Sequence, residues 1–237
     1  MCRRAWLYVG FIVGLFVLPF SSLSNPLDSK DIDYPASLEA HLQELHQAYL
    51  DSPNNFTILI NLASTYLDAG DDFYIDTVKR IEAYQAGADF AKKALALNQQ
   101  DAQAHFLYAA NLGHIAQLQS VLVSAFLIRE IKGHVEESIR LSPNYAPALH
   151  MMGMILDGLP WFLGGDADES VSYLERAVAA DPHYTHARLN LGKIYLKQGR
   201  KQAAQEQFLL VTQASSPRGR YAWTHRYNPE AQRLLRQ

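Results

Sequence analysis

The nine histidines are the side chains in this sequence whose chemistry could bind a metal ion. His183 and His186 stand three residues apart at the start of a predicted helix, and this spacing can place two ligands on one helical face. No acidic residue or third histidine follows at a matching spacing. We therefore interpret the histidines as scattered surface residues, and we predict neither a metal site nor another cofactor.

The run Gly164-Gly165-Asp166 could cradle a phosphate or could end one helix and begin the next. A phosphate-binding turn needs a Lys or Arg nearby in the turn, and this turn has none. Glycine commonly ends a helix, whereas Asp166 with Glu169 three residues later has the spacing of a capping box. We favour the capping interpretation.

Catalytic motifs are absent from the sequence. It holds no G-x-S-x-G, no H-E-x-x-H and no phosphate-binding glycine loop before a Lys. Asp71 and Asp72 adjoin in a predicted loop, where paired acids usually begin the next helix. We predict that the chain is not an enzyme; a site assembled from inserted segments is the rival hypothesis.

Composition limits the class of protein further. The 237 residues are 49% hydrophobic, which suits a packed core, and the formal charge of -3 gives no electrostatic footprint for nucleic acid. The single cysteine, Cys2, lies in the N-terminal segment, so disulfides and zinc-thiolate sites are excluded from the rest of the chain.

The N-terminus has the layout of a targeting segment. Arg3 and Arg4 precede an uncharged run over residues 5–20, and small residues follow, with Ser22 and Ser24 flanking a possible cut before Asn25. Residues 1–24 are a cleaved signal peptide or an uncleaved anchor that tethers the chain to a membrane through residues 5–20, and residues 25–37 are a linker. Both alternatives place the bulk of the chain outside the cytoplasm.

A repeated helical pattern fills the rest of the chain. A large apolar residue, a small one and another large one three further on recur in four predicted first helices, around Ala63, Ala109, Gly153 and Gly192. Each of these four residues lies 15 positions after a small residue of the preceding helix. Those small residues are Ala48, Ala94, Ser138 and Ala177. A constant separation repeated four times indicates a repeat architecture.

The separation inside each helix pair varies. It is 24, 22, 17 and 12 residues in chain order, so the first three pairs carry 12, 10 and 5 extra residues at the turn within the pair. We predict an all-α solenoid over residues 38–217, a right-handed superhelix of about four helix pairs with a preceding half-repeat. Residues 218–237 form a C-terminal capping helix and tail, which ends the stack.

The Leu191-Gly192…Tyr195…Ala204…Phe208…Pro217 series resembles a tetratricopeptide repeat. The run from Leu159 to Asp166, followed by Tyr173-Leu174-Glu175-Arg176-Ala177 and Asp181-Pro182, is similar to the T-component (TatT-like) family. These are bacterial periplasmic helical-repeat proteins associated with TRAP transporters. The resemblance implies a lipoprotein that forms oligomers and works beside a solute-binding protein.

The inner groove of a solenoid is its usual binding surface. Counting from the small positions, the candidate groove residues are Asn61, Ser64, Phe106, Ala110, His150, Met154, Asn190 and Lys193. Their mixture of apolar and amide groups suits an apolar or mixed peptide or a small solute. The alternative is that several of them pack against the inserted segments.

Two further segments have open interpretations. The apolar run Val121 to Ile128 is a buried helix flank, or else an oligomer interface or membrane-facing edge. The segment holding Arg218, Arg220, Trp223, His225 and Arg226 could bind nucleic acid, but we favour a cap with a solvated basic face.

The sequence thus predicts a non-enzymatic exported binding protein that takes a protein partner or small solute in its groove, and homo-oligomer formation is a further hypothesis. The first hypothesis is an accessory of periplasmic solute uptake. The alternative is an envelope-assembly or secretion scaffold that binds a protein partner.

Overall fold

The structure is a computed structural model that describes residues 34–119 and 121–237, without the side chains of residues 121–125. The regular structure in these ranges is helical throughout. The main helices are α1 Ser37–Asp51, α2 Phe56–Asp68, α3 Thr77–Leu97, α4 Ala102–Leu118, α5 Val121–Leu141, α6 Ala146–Gly158, α7 Ala167–Ala180, α8 Thr185–Lys197 and α9 Lys201–Thr212. The predicted N-terminal signal or anchor lies outside the described residues.

Each of these helices packs against the next one along the chain, and first helices also contact one another, as α2 contacts α4 and α4 contacts α6. The pairs are α2 with α3, α4 with α5, α6 with α7, and α8 with α9, and α1 is the preceding half-repeat. The predicted all-α, tetratricopeptide-like solenoid is confirmed. None of the described helices is long and apolar enough to span a bilayer.

The constant 15-residue separation has a local cause. Each turn that joins one pair to the next contains four residues, as in 52–55 and 181–184. The carbonyl of the small residue accepts a hydrogen bond from the first amide of the turn, as Ala48 does from Ser52 at 3.0 Å and Ala177 does from Asp181 at 3.0 Å. Because the helix end and the turn length are both fixed, the next helix begins at a fixed distance along the chain.

The small positions allow close helix packing. Ala63 and Ala109 are fully buried. A Cβ on Gly153 would lie 2.7 Å from Cγ of Leu174, and one on Gly192 would lie 2.5 Å from Cε1 of Phe208. Real carbon atoms do not approach so closely, so these two glycines let α6 and α8 pack directly on the following helices.

The extra residues inside the first three pairs take different forms. In the first pair they form a π-helical turn, Ala69–Phe73, and a long α3. In the second pair they lengthen α4 and α5, and in the third they form the loop with the 3₁₀ turn Trp161–Leu163. Only the third is mainly a loop, and it leaves Trp161 84% exposed.

The C-terminal segment continues the stack with shorter elements. The helical turn α10, Arg220–Ala222, leads into a π-helical turn, Trp223–Tyr227, and then into α11, Asn228–Leu235. Helix α11 packs on α9, and the π-helical turn packs on α8. Trp223 donates its indole N–H to the carbonyl of Val211 at 2.8 Å. This segment therefore lies against both helices of the last pair.

Candidate functional site: the concave face and the C-terminal tail

The C-terminal tail, residues 218–237, reaches the opposite end of the described solenoid. Nη1 of Arg226 lies 2.7 Å from Oδ1 of Asp72 and donates to the carbonyl of Asp71 at 3.0 Å. The ring of Tyr221 packs edge-on against that of Tyr34, with the centroids 5.2 Å apart. The tail thus links the last repeat to the first helix pair and to the start of the described chain.

Asp71 and Asp72 lie in the π-helical turn that ends α2, and we call these two residues the acidic pair. The prediction that they begin the next helix is wrong, because α3 starts at Thr77 with Asp76 as its N-cap. Tyr84 donates to Asp71 at 2.7 Å. A Cβ on Gly70 would lie 2.3 Å from the Tyr84 ring, so only glycine admits this ring beside the turn.

The Asp72 carboxylate is 9% exposed and has two partners. The hydroxyl of Tyr34 donates to Oδ2 at 2.5 Å, and Arg226 lies in ionic contact with Oδ1. Burial raises the pKa of Asp72, while the Tyr34 hydrogen bond and the Arg226 charge lower it. A buried carboxylate needs a cation or hydrogen-bond donors. The charge of Arg226 therefore compensates for the loss of hydration of the Asp72 carboxylate.

Beside the acidic pair, histidine and aromatic rings of neighbouring first helices form a layer. His150 and His186 have ring centroids 4.6 Å apart, and Tyr227 of the tail stacks on His186 at 4.4 Å with 10° between the rings. His150 contacts the hydroxyl of Tyr184 through Nδ1 at 3.1 Å and the amide of Asn190 through Nε2 at 2.9 Å. In this arrangement Asn190 donates to Nε2, so the neutral ring carries its proton on Nδ1.

Burial lowers the pKa of His150 to about 4. Burial, followed by the charge of a protonated His150, places the pKa of His186 well below its ordinary value. Both rings are therefore neutral at pH 7. The interpretation of the histidines as scattered surface residues is wrong for these two, because adjacent first helices enclose them.

The predicted groove residues lie in contrasting environments. Asn61 is exposed, Ser64, Phe106, Met154 and Lys193 are half-buried, and Ala110, His150 and Asn190 are buried. Phe106 packs edge-on against Tyr145 at 5.5 Å, and Lys193 pairs with Glu230 of the tail at 2.7 Å. Packing between first helices thus buries three of the eight predicted groove residues, and the tail covers part of a fourth, Lys193.

The tail arginines depart from the expected solvated basic face. Arg218 pairs with Asp181 at 3.1 Å, and Arg226 pairs with the Asp72 carboxylate at 2.7 Å. Arg220 and His225 are exposed. The sequence gives no periodic signal for a contact between residues more than 150 positions apart. The sequence hints only that Arg226 lies where a further first helix would be. It follows Val211 of α9 by 15 residues, the separation found between the other pairs.

The two turns considered for ligands have structural roles here. Asp166 accepts hydrogen bonds from the amides of Asp168 and Glu169, both at 2.9 Å, as an N-cap does. The expected return bond of a capping box is replaced, because the Asp166 amide donates to the Leu156 carbonyl. His183 is exposed and does not lie beside His186, whose ring stacks on Tyr227. The described residues hold no group of three side chains suited to a metal ion.

The apolar run at the start of α5 is only partly described. Phe126 is 84% exposed and lines a shallow cleft with His105, Arg129 and His134. The two histidines of this cleft contact each other through their Nδ1 atoms at 2.8 Å. Phe126 therefore does not lie in the buried helix flank that the sequence predicts for residues 121–128.

Comparison with known proteins defines the class first. A tetratricopeptide-repeat profile matches residues 162–222. The structure superposes on a thermophilic tetratricopeptide protein from Thermus thermophilus with a TM-score of 0.63 at 17% identity, covering 83% of this chain and 91% of that one. It superposes on MamA with a TM-score of 0.50 at 18% identity, covering 74% and 86%. At these identities the likeness concerns the fold alone.

The profile of the family described as "Regulator of microtubule dynamics protein 1-3" matches residues 28–155, and the chain belongs to this family. Regulator of microtubule dynamics protein 1 of Bos taurus is 30% identical over 145 residues, 53% of this chain and 44% of that protein. The Rattus norvegicus protein is 30% identical over 155 residues, 59% and 49%. The match spans less than half of each relative. These matches do not support the T-component resemblance and assign the chain to the regulator family instead.

Proposed function

We propose that the chain is a non-catalytic scaffold that binds a protein partner through its concave face. The observation that carries this proposal is that the concave face already binds a peptide segment, the tail, through a buried carboxylate, a stacked ring and a lysine. Tetratricopeptide solenoids commonly use their concave surfaces for binding. Asn61 remains exposed there as a site of access.

Site-specific photo-crosslinking tests this proposal. A photo-reactive amino acid replaces Asn61 on the concave face, and in a matched variant it replaces Gln205, which is exposed on the second helix α9. We expect a defined protein adduct from position 61 in the native cell and none at that mass from position 205. Equal adducts from both positions, or no protein adduct from position 61, would contradict binding through the concave face.

A second candidate function follows from the family. Its relatives carry the name of regulators of microtubule dynamics, and we propose that the partner belongs to the microtubule system. Purified full-length chain added to growing microtubules should change their growth or catastrophe rate. Rates that stay unchanged up to saturating protein would remove this candidate and leave the scaffold proposal standing. The accessory role in solute uptake has no support among the relatives and is not retained.

The location outside the cytoplasm stays a proposal based on the sequence of residues 1–24. Intact-mass measurement of the mature chain tests it. A mass that begins at Asn25 supports a cleaved signal, and a mass that begins at Met1 in a membrane fraction supports the tether. A full-length chain found only in the soluble fraction would contradict both.

A further inference from the structure

The tail contacts the concave face through a small set of side chains with distinct chemistry. Arg226 meets the acidic pair, Tyr227 stacks on His186, and Glu230 pairs with Lys193. The three positions follow one another at spacings of one and three residues within a helical stretch. They define a recognition pattern of an arginine, an aromatic ring directly after it, and a carboxylate four residues after the arginine.

The tail is joined to the solenoid through Gly219, and its last helix stays packed on α9, where Ala231 is fully buried. Gly219 has a φ of +64°, and a Cβ there would meet no neighbouring atom. The π-helical turn Trp223–Tyr227 holds Arg226 and Tyr227, and such turns are frequent at functional sites. A segment that takes over the contacts of Arg226 therefore leaves the anchored part of the tail, Trp223 on Val211 and Ala231 on α9, in place.

The contacts that hold the tail on the acidic pair are also replaceable. The Arg226 side chain is 40% exposed, so its guanidinium can leave Asp72 for solvent when another arginine takes its place. Oδ1 of Asp72 forms no well-aligned hydrogen bond despite its short contact with Arg226. By contrast, the acidic pair itself is held firmly by Tyr34, Tyr84 and the backbone of its turn.

We propose that the acidic pair, His186 and Lys193 form the receptor for a helical partner segment carrying the Arg-aromatic-x-x-acid pattern, and that residues 226–230 are an internal ligand whose contacts this segment displaces. The proposal rests on the scaffold function above and adds the chemistry of the partner. A buried carboxylate that requires an arginine favours basic segments over acidic ones. The tethered tail competes at high effective concentration, so a partner gains access when the tail is weakened or outmatched.

A peptide in trans tests this proposal on the full chain. The probe is a fluorescein-labelled synthetic peptide of residues 218–237, added to the unaltered chain, to Arg226→Ala and to Arg220→Ala. Arg220 is an exposed tail arginine, so its variant changes charge equally without touching the acidic pair. We expect Arg226→Ala to bind the peptide at least tenfold more tightly than the other two proteins, because its own tail no longer competes.

Two controls fix the site of peptide binding. A peptide carrying the Arg226→Ala change should lose the gain, and so should an Asp72→Asn change made in the Arg226→Ala protein. Equal peptide affinity of Arg226→Ala and Arg220→Ala would overturn the proposal. So would a dimer of Arg226→Ala in light scattering, because the occupant would then be the tail of a second copy.

If the Arg226→Ala chain does not fold, amide hydrogen exchange in a second variant tests the same proposal. In an Asp72→Asn chain, amides of residues 221–230 should exchange faster than in the unaltered chain, while those of α8 stay unchanged. Unchanged exchange in the tail would overturn the proposal. Photo-crosslinking from position 61 is independent of these readouts, so failure of the tail mechanism and failure of the scaffold function are distinguishable.

Discussion

At the scale of single residues, the small positions and the buried histidines place the strongest constraints on the sequence. Gly153 and Gly192 each lie where a methyl group would overlap the next helix. His150 is buried, and both of its ring nitrogens contact polar partners. This environment stabilises the neutral form of the ring. Each of these residues leads to a measurable expectation.

Gly192→Ala should destabilise the chain because its Cβ would lie 2.5 Å from the Phe208 ring, which is fully buried. Overpacking of this kind costs about 1–3 kcal/mol. Gly133→Ala in α5 is the matched control, because its Cβ would meet no atom and alanine favours the helix by about 0.5–1 kcal/mol. Urea denaturation gives both values. A Gly192→Ala chain as stable as Gly133→Ala would contradict the packing described here.

His150 should make the chain less stable in acid. Its pKa is about 4 in the folded state, below the ordinary value of 6.5, so the unfolded chain binds the proton more readily. Its stabilising contribution is therefore complete above about pH 6.5 and is lost as the pH falls towards 4, by about 2 kcal/mol between pH 7 and pH 5.

Urea denaturation at pH 7 and pH 5 measures this loss. His150→Gln should flatten the pH dependence by about that amount, whereas His183→Gln, at an exposed histidine, should leave it unchanged. An identical pH dependence in the His150→Gln chain and the unaltered chain would show that this ring does not titrate as its burial requires.

At the scale of the elements, the constant four-residue turns set the register of the stack. The turn 98–101 connects α3 to α4, and the Asp101 carboxylate caps α4 by accepting from Ala104 at 2.7 Å. The turn inside the first pair, by contrast, already holds an insertion and exposes Ile75. Turns between pairs should therefore tolerate lengthening poorly, and turns inside pairs should tolerate it well.

A glycine inserted between Gln99 and Gln100 should destabilise the chain by more than about 2 kcal/mol, because it breaks the cap and shifts α4 against α3. A glycine inserted between Ile75 and Asp76 should cost about 0.5 kcal/mol, the usual effect of a slightly longer loop. Thermal and urea denaturation compare the two. Equal costs would show that the turn between pairs does not set the register.

These elements also show how far the sequence predicts the structure. The small residues at constant spacing, such as Ala94 and Ala109, predict the helix pairs because close packing limits both residue size and turn length. The groove residues were placed by the same counting, but their exposure depends on what covers them. The contact of Arg226 with Asp72 is set by the curvature of the whole stack, and neither local propensity nor periodicity encodes it.

At the scale of the whole molecule, the tail determines which surface a partner can reach. It joins the last pair to the first pair through Arg226 and to the start of the described chain through Tyr221, and it occupies the concave face beside His186. The proposed binding surface is thus partly occupied by the chain's own tail. If the proposal holds, a partner gains access only when it takes over the contacts of Arg226, Tyr227 and Glu230.

The distance between the tail and the first pair tests this closure most directly. In a Cys2→Ser chain, cysteines replace Ile75 and His225 and carry the spin labels. Both positions are exposed; Ile75 follows Asp72 by three residues, and His225 directly precedes Arg226. Double electron–electron resonance should give one narrow, short distance distribution, which broadens to longer distances in Arg226→Ala and stays narrow in Arg220→Ala. A broad distribution in the chain with native Arg226 would contradict a tail bound to the concave face.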